Sequence, residues 1–335
     1  MSIPATLALS AAMACAVVQA SAQELRSSRR SISYHSVDVR DLKIFYRDAG
    51  PADAPTVLLL HGFPSSSRMW EPLLPLLADK YHVIAPDYPG FGNSSAPPPS
   101  DFTYTFDNIA GVMNELTVKL GLGNYVLFMQ DYGGPVGFRM ALAHPERVRG
   151  IIIQNAVSHE QGLSPLWEAR RRYWADPAHE LEALKANFTS LAATRQRHLG
   201  SSPHPERYDP DSWTDEYAFL TRPGQAEIQT TLFLDYRTNV ASYPEWQEWL
   251  RKTRRRRWWS GANTIRPSRS PARRPIATTF RMRRFTSWKR ATSRWMKPPT
   301  KSLRSFAASL RDWTGTRADS NPRGGSLRRR RRCSA

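Results

Sequence analysis

The stretch Tyr125-Val126-Leu127-Phe128-Met129-Gln130-Asp131-Tyr132-Gly133-Gly134-Pro135 constrains this chain more than any other. An apolar run of strand character ends in a carboxylate. Two glycines follow, and residues 136–144 then carry apolar side chains at three- and four-residue spacing, the period of a helix. Strand, sharp turn and helix form the context of a nucleophile elbow, in which the turn lifts one side chain above the sheet edge. The side chain here is Asp131. A carboxylate can attack carbon and form an ester intermediate. Asp is also a good helix N-cap, so the choice between the two roles rests on what precedes the stretch.

Upstream, residues 33–39 and 42–48 read as two strands joined by a tight turn at Arg40-Asp41. Residues 56–60 form a continuous apolar run, as a buried parallel strand does. His61-Gly62-Phe63-Pro64 follows, then Ser65-Ser66-Ser67 and a predicted helix to about Ala78. A short strand over residues 82–85 leads into Pro86-Asp87-Tyr88-Pro89-Gly90-Phe91-Gly92, and residues 106–120 have helical periodicity. After the elbow helix comes a strand over residues 148–155. Strands alternating with helices imply a mostly parallel sheet with helices on both faces, an α/β fold. Residues 33–155 therefore form the first part of the core. Residues 156–243 are richer in Trp, Tyr, Arg and Glu and lack buried strands, which predicts a helical cap, with residues 244–253 returning to the core.

Charge is spread unevenly. Residues 1–251 carry 22 Lys+Arg against 27 Asp+Glu, whereas residues 252–335 carry 26 against 2. The body is mildly acidic and gives no sign of a nucleic-acid partner. Cys15 and Cys333 support neither a disulfide framework nor a metal site, and no metal or organic cofactor is implied. Residues 1–22 hold a short Ala-rich apolar run ending at Ala20-Ser21-Ala22, which reads as a secretory signal peptide and predicts a periplasmic or secreted protein. Without that signal the protein would be cytoplasmic. No stretch is long and apolar enough to span a membrane.

Taken together, these segments resemble the α/β-hydrolase fold, in its epoxide hydrolase and haloalkane dehalogenase branch. His61-Gly62-Phe63-Pro64 is similar to that group's HGxP turn, and Asp87 to Gly92 to its DxxGxG segment. Gln130-Asp131-Tyr132-Gly133-Gly134 is similar to its Asp elbow, and Ala143-His144-Pro145-Glu146-Arg147-Val148 to the end of its elbow helix. Met129 departs from the Gly that many such elbows carry. The resemblance covers about residues 33–251. It implies Asp131 as the nucleophile and the backbone N–H groups of Phe63 and Tyr132 as an oxyanion hole. His61 takes a structural role in that loop.

The resemblance also implies a small apolar substrate plus water, with two cap tyrosines that donate a proton as an epoxide ring opens. Asp235-Tyr236-Arg237-Thr238-Asn239 and Tyr173-Trp174-Ala175-Asp176-Pro177 resemble the segments that carry them, which assigns Tyr236 and Tyr173. Arg170-Arg171-Arg172 reads as a solvated face. Tyr132 stands where dehalogenases usually carry Trp, and Phe63 where they carry an amide donor, so epoxide opening is the favoured expectation. A haloalkane dehalogenase, another small-molecule hydrolase and a non-catalytic ligand-binding remnant are the alternatives.

The second half of such a mechanism needs a His to activate water and an acid to orient it. The resemblance places that His near the C-terminus, yet no His follows His204. From residue 254 the composition breaks into Arg, Ser, Pro and Trp without apolar period, which predicts no fixed structure past about residue 255. A shifted reading frame accounts for both. With GC-leaning codons read two bases further on, residues 257–268 can spell Leu-Val-Val-Trp-Gly-Lys-Tyr-Asp-Pro-Ser-Phe, and the same offset yields Gly-His-Phe under Ala291-Thr292. On that reading residues 254–335 are an out-of-frame tail, and a basic nucleic-acid-binding arm is the alternative.

Overall fold

The computed structural model describes residues 31–163, 167–253 and the backbone of residues 256–260. Seven strands form one sheet in the order β1-β2-β4-β3-β5-β6-β7. They are β1 (Ile32–Val39), β2 (Leu42–Ala49), β3 (Thr56–Leu60), β4 (His82–Pro86), β5 (Tyr125–Gln130), β6 (Val148–Gln154) and β7 (Arg256–Ser260). The first two pair antiparallel, and β2 pairs antiparallel with β4. Every later pairing is parallel.

The helices of the core are α1 (Leu74–Leu77), α2 (Phe106–Lys119) and α3 (Gly133–Ala143). Strands β3 and β5 are buried almost throughout because layers lie on both faces of the sheet. One apolar cluster joins Leu58, Leu60, Leu127 and Met129 to α2 and α3. A second joins Val57, Leu59, Val126 and Phe128 to Trp70 and Leu74 on the opposite face. The alternation along each strand sends successive side chains to opposite clusters. With β3 on one side and β6 on the other, β5 is central, so Asp131 emerges at the carboxyl edge where open α/β sheets place their sites.

The predicted helix ending near Ala78 is instead a 3₁₀ turn over Ser67–Trp70 and a single α-helical turn, α1. Pro72 and Pro75 lack the N–H groups that a continuous helix would need.

The cap holds α4 (Glu168–Ala175), α5 (Pro177–Phe188), α6 (Leu191–Leu199), α7 (Asp211–Leu220) and α8 (Gln225–Lys252). The last of these runs 28 residues without a break, through the expected cap boundary at residue 243, and carries Pro244 inside it. Several polar ties join cap to core. Phe106 N–H donates to Asp235 at 2.8 Å. Arg139 donates to Asn239 at 2.6 Å, and Arg222 to the Gly92 carbonyl at 2.7 Å. Within the cap, buried His198 and Glu216 meet at 2.7 Å and tie α6 to α7.

Strand β7 carries the sheet five residues past residue 255, with Gly150 opposite Arg256 and Gln154 opposite Ser260. The free edge of β6 offers a row of backbone donors and acceptors, and Trp258-Trp259 has the side chains that strands favour. The proposed signal segment and the rest of the tail lie outside the described residues. Among the described residues no helix is long and apolar enough to cross a membrane.

Candidate active site

The elbow is built by steric necessity. Asp131 has φ of +49°, a left-handed conformation that L residues adopt at a cost and that Asp tolerates better than most. A Cβ on Gly133 would stand 2.3 Å from the Leu60 carbonyl oxygen, so only glycine lets α3 start this close to β3. The departure at Met129 is absorbed locally. Its side chain occupies the space over Gly137, where a Cβ would lie 2.2 Å from the Met129 sulfur.

The loop after β3 is pressed onto the elbow, since a Cβ on Gly62 would come within 2.4 Å of the Asp131 Cβ. Phe63 N–H donates to Asp131 Oδ1 at 2.9 Å. The backbone N–H of Tyr132, the next residue, also acts on the carboxylate and lowers its pKa. Asp131 is half-buried by surface exposure. Burial raises its pKa above the ordinary carboxylate value, while the two N–H groups and the Arg170 guanidinium oppose that rise. The carboxylate is thus desolvated, held by the Phe63 N–H and still accessible.

His61 lies fully buried beneath this loop. Its Nδ1 pairs with the Gly62 carbonyl at 3.2 Å, and Nε2 accepts from Tyr88 N–H at 3.3 Å. The ring stacks on Tyr88 at 4.0 Å. Burial lowers its pKa to about 4, so it is neutral at pH 7 and both nitrogens are occupied. Asp87 is likewise buried and spends its oxygens on Ser67 N–H and Asn93 N–H at 2.6 and 2.8 Å. These residues hold loops in place.

Tyr236 projects from α8 into a ring cluster. Its centroid lies 5.9 Å from Tyr132, 5.6 Å from Phe106 and 4.4 Å from Trp167. Burial raises its pKa well above 10, and the Tyr243 hydroxyl and Asp131 add to the rise. The phenol therefore keeps its proton at neutral pH. Tyr173 is placed differently. Its hydroxyl donates to the Thr230 carbonyl at 3.4 Å, on the backbone of α8.

The neighbouring helical face carries the contacts instead. Trp167, Arg170 and Trp174 recur at three- and four-residue spacing. Trp174 stacks near Tyr236 at 6.4 Å, and Arg170 lies over Trp167 and Phe233 at 4.8 and 5.0 Å. The solvated-face expectation holds for the exposed Arg171 and Arg172 but not for Arg170, which turns inward. That i, i+3, i+7 pattern was the signal by which the sequence could have placed Arg170.

A recess of about 130 Å³ lies between Ser65, Ser66 and Gly92 of the core and Asp215, Phe219 and Arg222 of the cap, beside Pro64. At the carboxyl end of β6, both polar atoms of the Gln154 side chain, Asn155 Nδ2 and Ser158 Oγ are buried without a partner. Among the described residues, no group of three or more His, Cys, Asp or Glu is placed to hold a metal ion.

A parallel sheet with a carboxylate on a strained strand-to-helix turn, facing two backbone donors under a helical lid, defines an α/β-hydrolase-type architecture. The alpha/beta hydrolase fold family matches residues 55–272, and the chain belongs to it. An uncharacterised hydrolase of Saccharomyces cerevisiae is 39% identical over 227 residues, which is 66% of this chain and 77% of that one. A haloalkane dehalogenase of Psychrobacter cryohalolentis is 40% identical over 155 residues, 46% of this chain and 50% of that protein, so the match spans half of its length. The solved epoxide hydrolase CorEH superposes with a TM-score of 0.52 at 22% identity, covering 63% of this chain and 76% of that one, a likeness of fold.

Proposed function

We propose that this hydrolase-family chain opens a small-molecule epoxide by attack of Asp131. The observation that carries this reading is the Asp131 carboxylate itself, half-buried at φ of +49° with the Phe63 N–H on Oδ1 at 2.9 Å. A carboxylate oxygen of Asp131 bonds to an epoxide carbon. The ring C–O bond breaks, its electron pair goes to oxygen, and that oxygen takes the proton of the Tyr236 hydroxyl. The phenolate regains a proton from water. The product is an ester on Asp131, whose hydrolysis would develop an oxyanion facing Phe63 N–H and Tyr132 N–H.

Hydrolysis needs a base. No His follows His204, and His61 is neutral with both nitrogens engaged. In this chain the cycle stops at the ester. The shifted-frame reading of residues 254–335 supplies the missing groups. The orphaned polar atoms of Gln154, Asn155 and Ser158 beside the elbow support it, because a site completed by further core segments would give them partners. Strand β7, which residues 256–260 form in the frame as written, counts against it, because an out-of-frame tail is not expected to continue the sheet.

Two experiments test these statements. Exposure of the chain to an epoxide, followed by mass spectrometry of the Asp131 peptide, is expected to give a stable adduct that Asp131→Asn abolishes. A chain that takes no label is a ligand-binding remnant and the reading fails. Resequencing the gene across codons 248–262 tests the frame, since a missing or extra base there restores an acid and a His. A haloalkane substrate is the second reading. Tyr132 favours it, because its buried hydroxyl has no partner and sits on the residue next to Asp131, where it could donate to a departing halide. It predicts an alkyl ester on Asp131 from a bromoalkane, with one bromide released per chain.

A further inference from the structure

We propose that Arg139 is a positioning residue for the reaction: it clamps the turn of α8 that carries Tyr236 onto the helix that grows from the nucleophile, and so fixes the Tyr236 hydroxyl relative to Asp131. This rests on the reading in which Asp131 attacks and Tyr236 gives up the proton. Arg139 lies on α3, about two turns past Asp131. Its Nη1 donates to Asn239 Oδ1 at 2.6 Å and to the Pro135 carbonyl at 3.3 Å. Its Nη2 donates to Thr238 Oγ1 at 3.2 Å, and its Nε pairs with Asp107. The Phe106 and Trp246 rings hold the guanidinium at 5.8 and 5.6 Å. Every nitrogen of the fork is therefore engaged, and two of the partners are neighbours on α8.

Asp235, Thr238 and Asn239 share one face of α8 by helical spacing and bracket Tyr236 in sequence. Thr238 Oγ1 donates on to the Asp235 carbonyl at 2.8 Å, and the Asp235 carboxylate accepts from Phe106 N–H at 2.8 Å. The Phe106 ring then meets Tyr132 edge-on at 5.0 Å and Tyr236 at 5.6 Å. Rings fill the space around Tyr236, but a helix that slips by one residue turns its side chains by about 100°. The polar ties are what exclude such a slip. Stability alone does not account for them. Asn239 is fully buried, and its Nδ2 has no partner among the described residues. An apolar side chain there would avoid the cost of a stranded amide. The Asp107 carboxylate is mostly exposed, where an ion pair contributes little. What the arrangement supplies is direction, because a planar fork holds two adjacent side chains of α8 at once.

The test is a double-mutant cycle on the full chain, read as the rate at which 1,2-epoxybutane labels the Asp131 peptide. Arg139→Met is expected to slow labelling at least ~tenfold when Tyr236 is present but less than ~twofold in Tyr236→Phe, because misplacing a donor costs nothing once the donor is gone. Equal factors in both backgrounds, or no slowing in the first, overturn the proposal. Arg222→Met is the control, since it cuts a core–cap tie to the Gly92 carbonyl from the loop before α8. Slowing in Arg222→Met equal to that in Arg139→Met also overturns it.

Should the wild-type chain take no label, the nucleophile reading fails, and the place of the phenol then decides the clamp by itself. The same measurement decides if labelling of Tyr236→Phe is too slow to time. The chain is made with 3-fluorotyrosine, and the Tyr236 fluorine resonance is assigned by its loss in Tyr236→Phe. Arg139→Met is expected to move or broaden that resonance, and Arg222→Met to leave it in place. A Tyr236 resonance unmoved in Arg139→Met overturns the clamp. Asn239→Leu repeats both arms if Arg139→Met does not fold.

Discussion

The core holds Asp131 by backbone, whereas the cap holds Tyr236 and Arg170 by side-chain packing. In the core, a left-handed residue, a glycine with no room for a Cβ and the Phe63 N–H determine where the carboxylate stands. In the cap, Tyr236 is located by rings from Trp167, Trp174, Phe106 and Tyr132. Backbone constraints admit few residue types, so they leave a sharp mark on a sequence. Ring packing admits many solutions. Machinery is therefore the stiff half of this site, and selectivity the adjustable half.

Glycine substitutions probe that contrast with the largest expected effect. Gly133→Ala forces a Cβ to 2.3 Å from the Leu60 carbonyl oxygen and 2.8 Å from its carbon, both backbone atoms. It should cost about 3 kcal/mol or more, read from the urea midpoint. In the cap, Gly224 has φ of +79° but open space around its Cβ direction. Gly224→Ala should cost only about 1 kcal/mol, the left-handed strain alone. Equal losses would break the comparison.

Acid should weaken the core next. The unfolded His61 takes up a proton below about 6.5, but the folded ring stays neutral until about 4. Stability is therefore full above 6.5 and falls as pH drops toward 4, by as much as about 3 kcal/mol. Urea titrations at pH 7 and pH 4.5 measure it, and His61→Asn should flatten that segment of the curve. Asp131 runs the other way. Its raised pKa means that the neutral carboxyl is favoured on folding and that this gain is lost as pH rises through the folded value.

In the cap, Tyr236→Phe should slow epoxide labelling of Asp131 by about 10²-fold while the ring cluster keeps its shape. An unchanged rate would assign the donor elsewhere. The smallest expected effect is on stability. Asp131→Asn removes a desolvated charge and suits a left-handed φ, so it should raise Tm at pH 7 by a few degrees, about 1 kcal/mol, although it abolishes labelling.

The same contrast explains what the sequence disclosed. The order of strands, the elbow and the Phe63 loop were legible because alternating apolar runs and placed glycines leave no other economical backbone. A short motif singled out Tyr236, whose ring the structure places 5.9 Å from that of Tyr132. Tyr173 came from a similar motif, and its hydroxyl lies at 3.4 Å from the Thr230 carbonyl, whereas Trp167, Arg170 and Trp174 contact the ring cluster. Arg170 hid inside a run of three arginines, whose charge suggested solvent before its helical phase was weighed. Pro72 and Pro75 were visible breakers of the helix expected before Ala78, and apolar periodicity outweighed them in that reading. Strand β7 answers to the free edge of β6, a demand of the sheet that composition does not report.

The continuity of α8 bears on how such lids can be exchanged. Composition suggests a seam near residue 243, but one helix of 28 residues, about 42 Å long, carries Asp235 against Phe106, Tyr236 in the site and Trp246 against Phe138. A graft that imports a foreign lid and joins it at that seam would splice two helical phases, and each residue of error rotates everything downstream by about 100°. Tyr236 or Trp246 would then face the wrong way. For this scaffold the transplantable module begins after β6 and ends beyond Lys252, with the whole of α8 travelling with the lid.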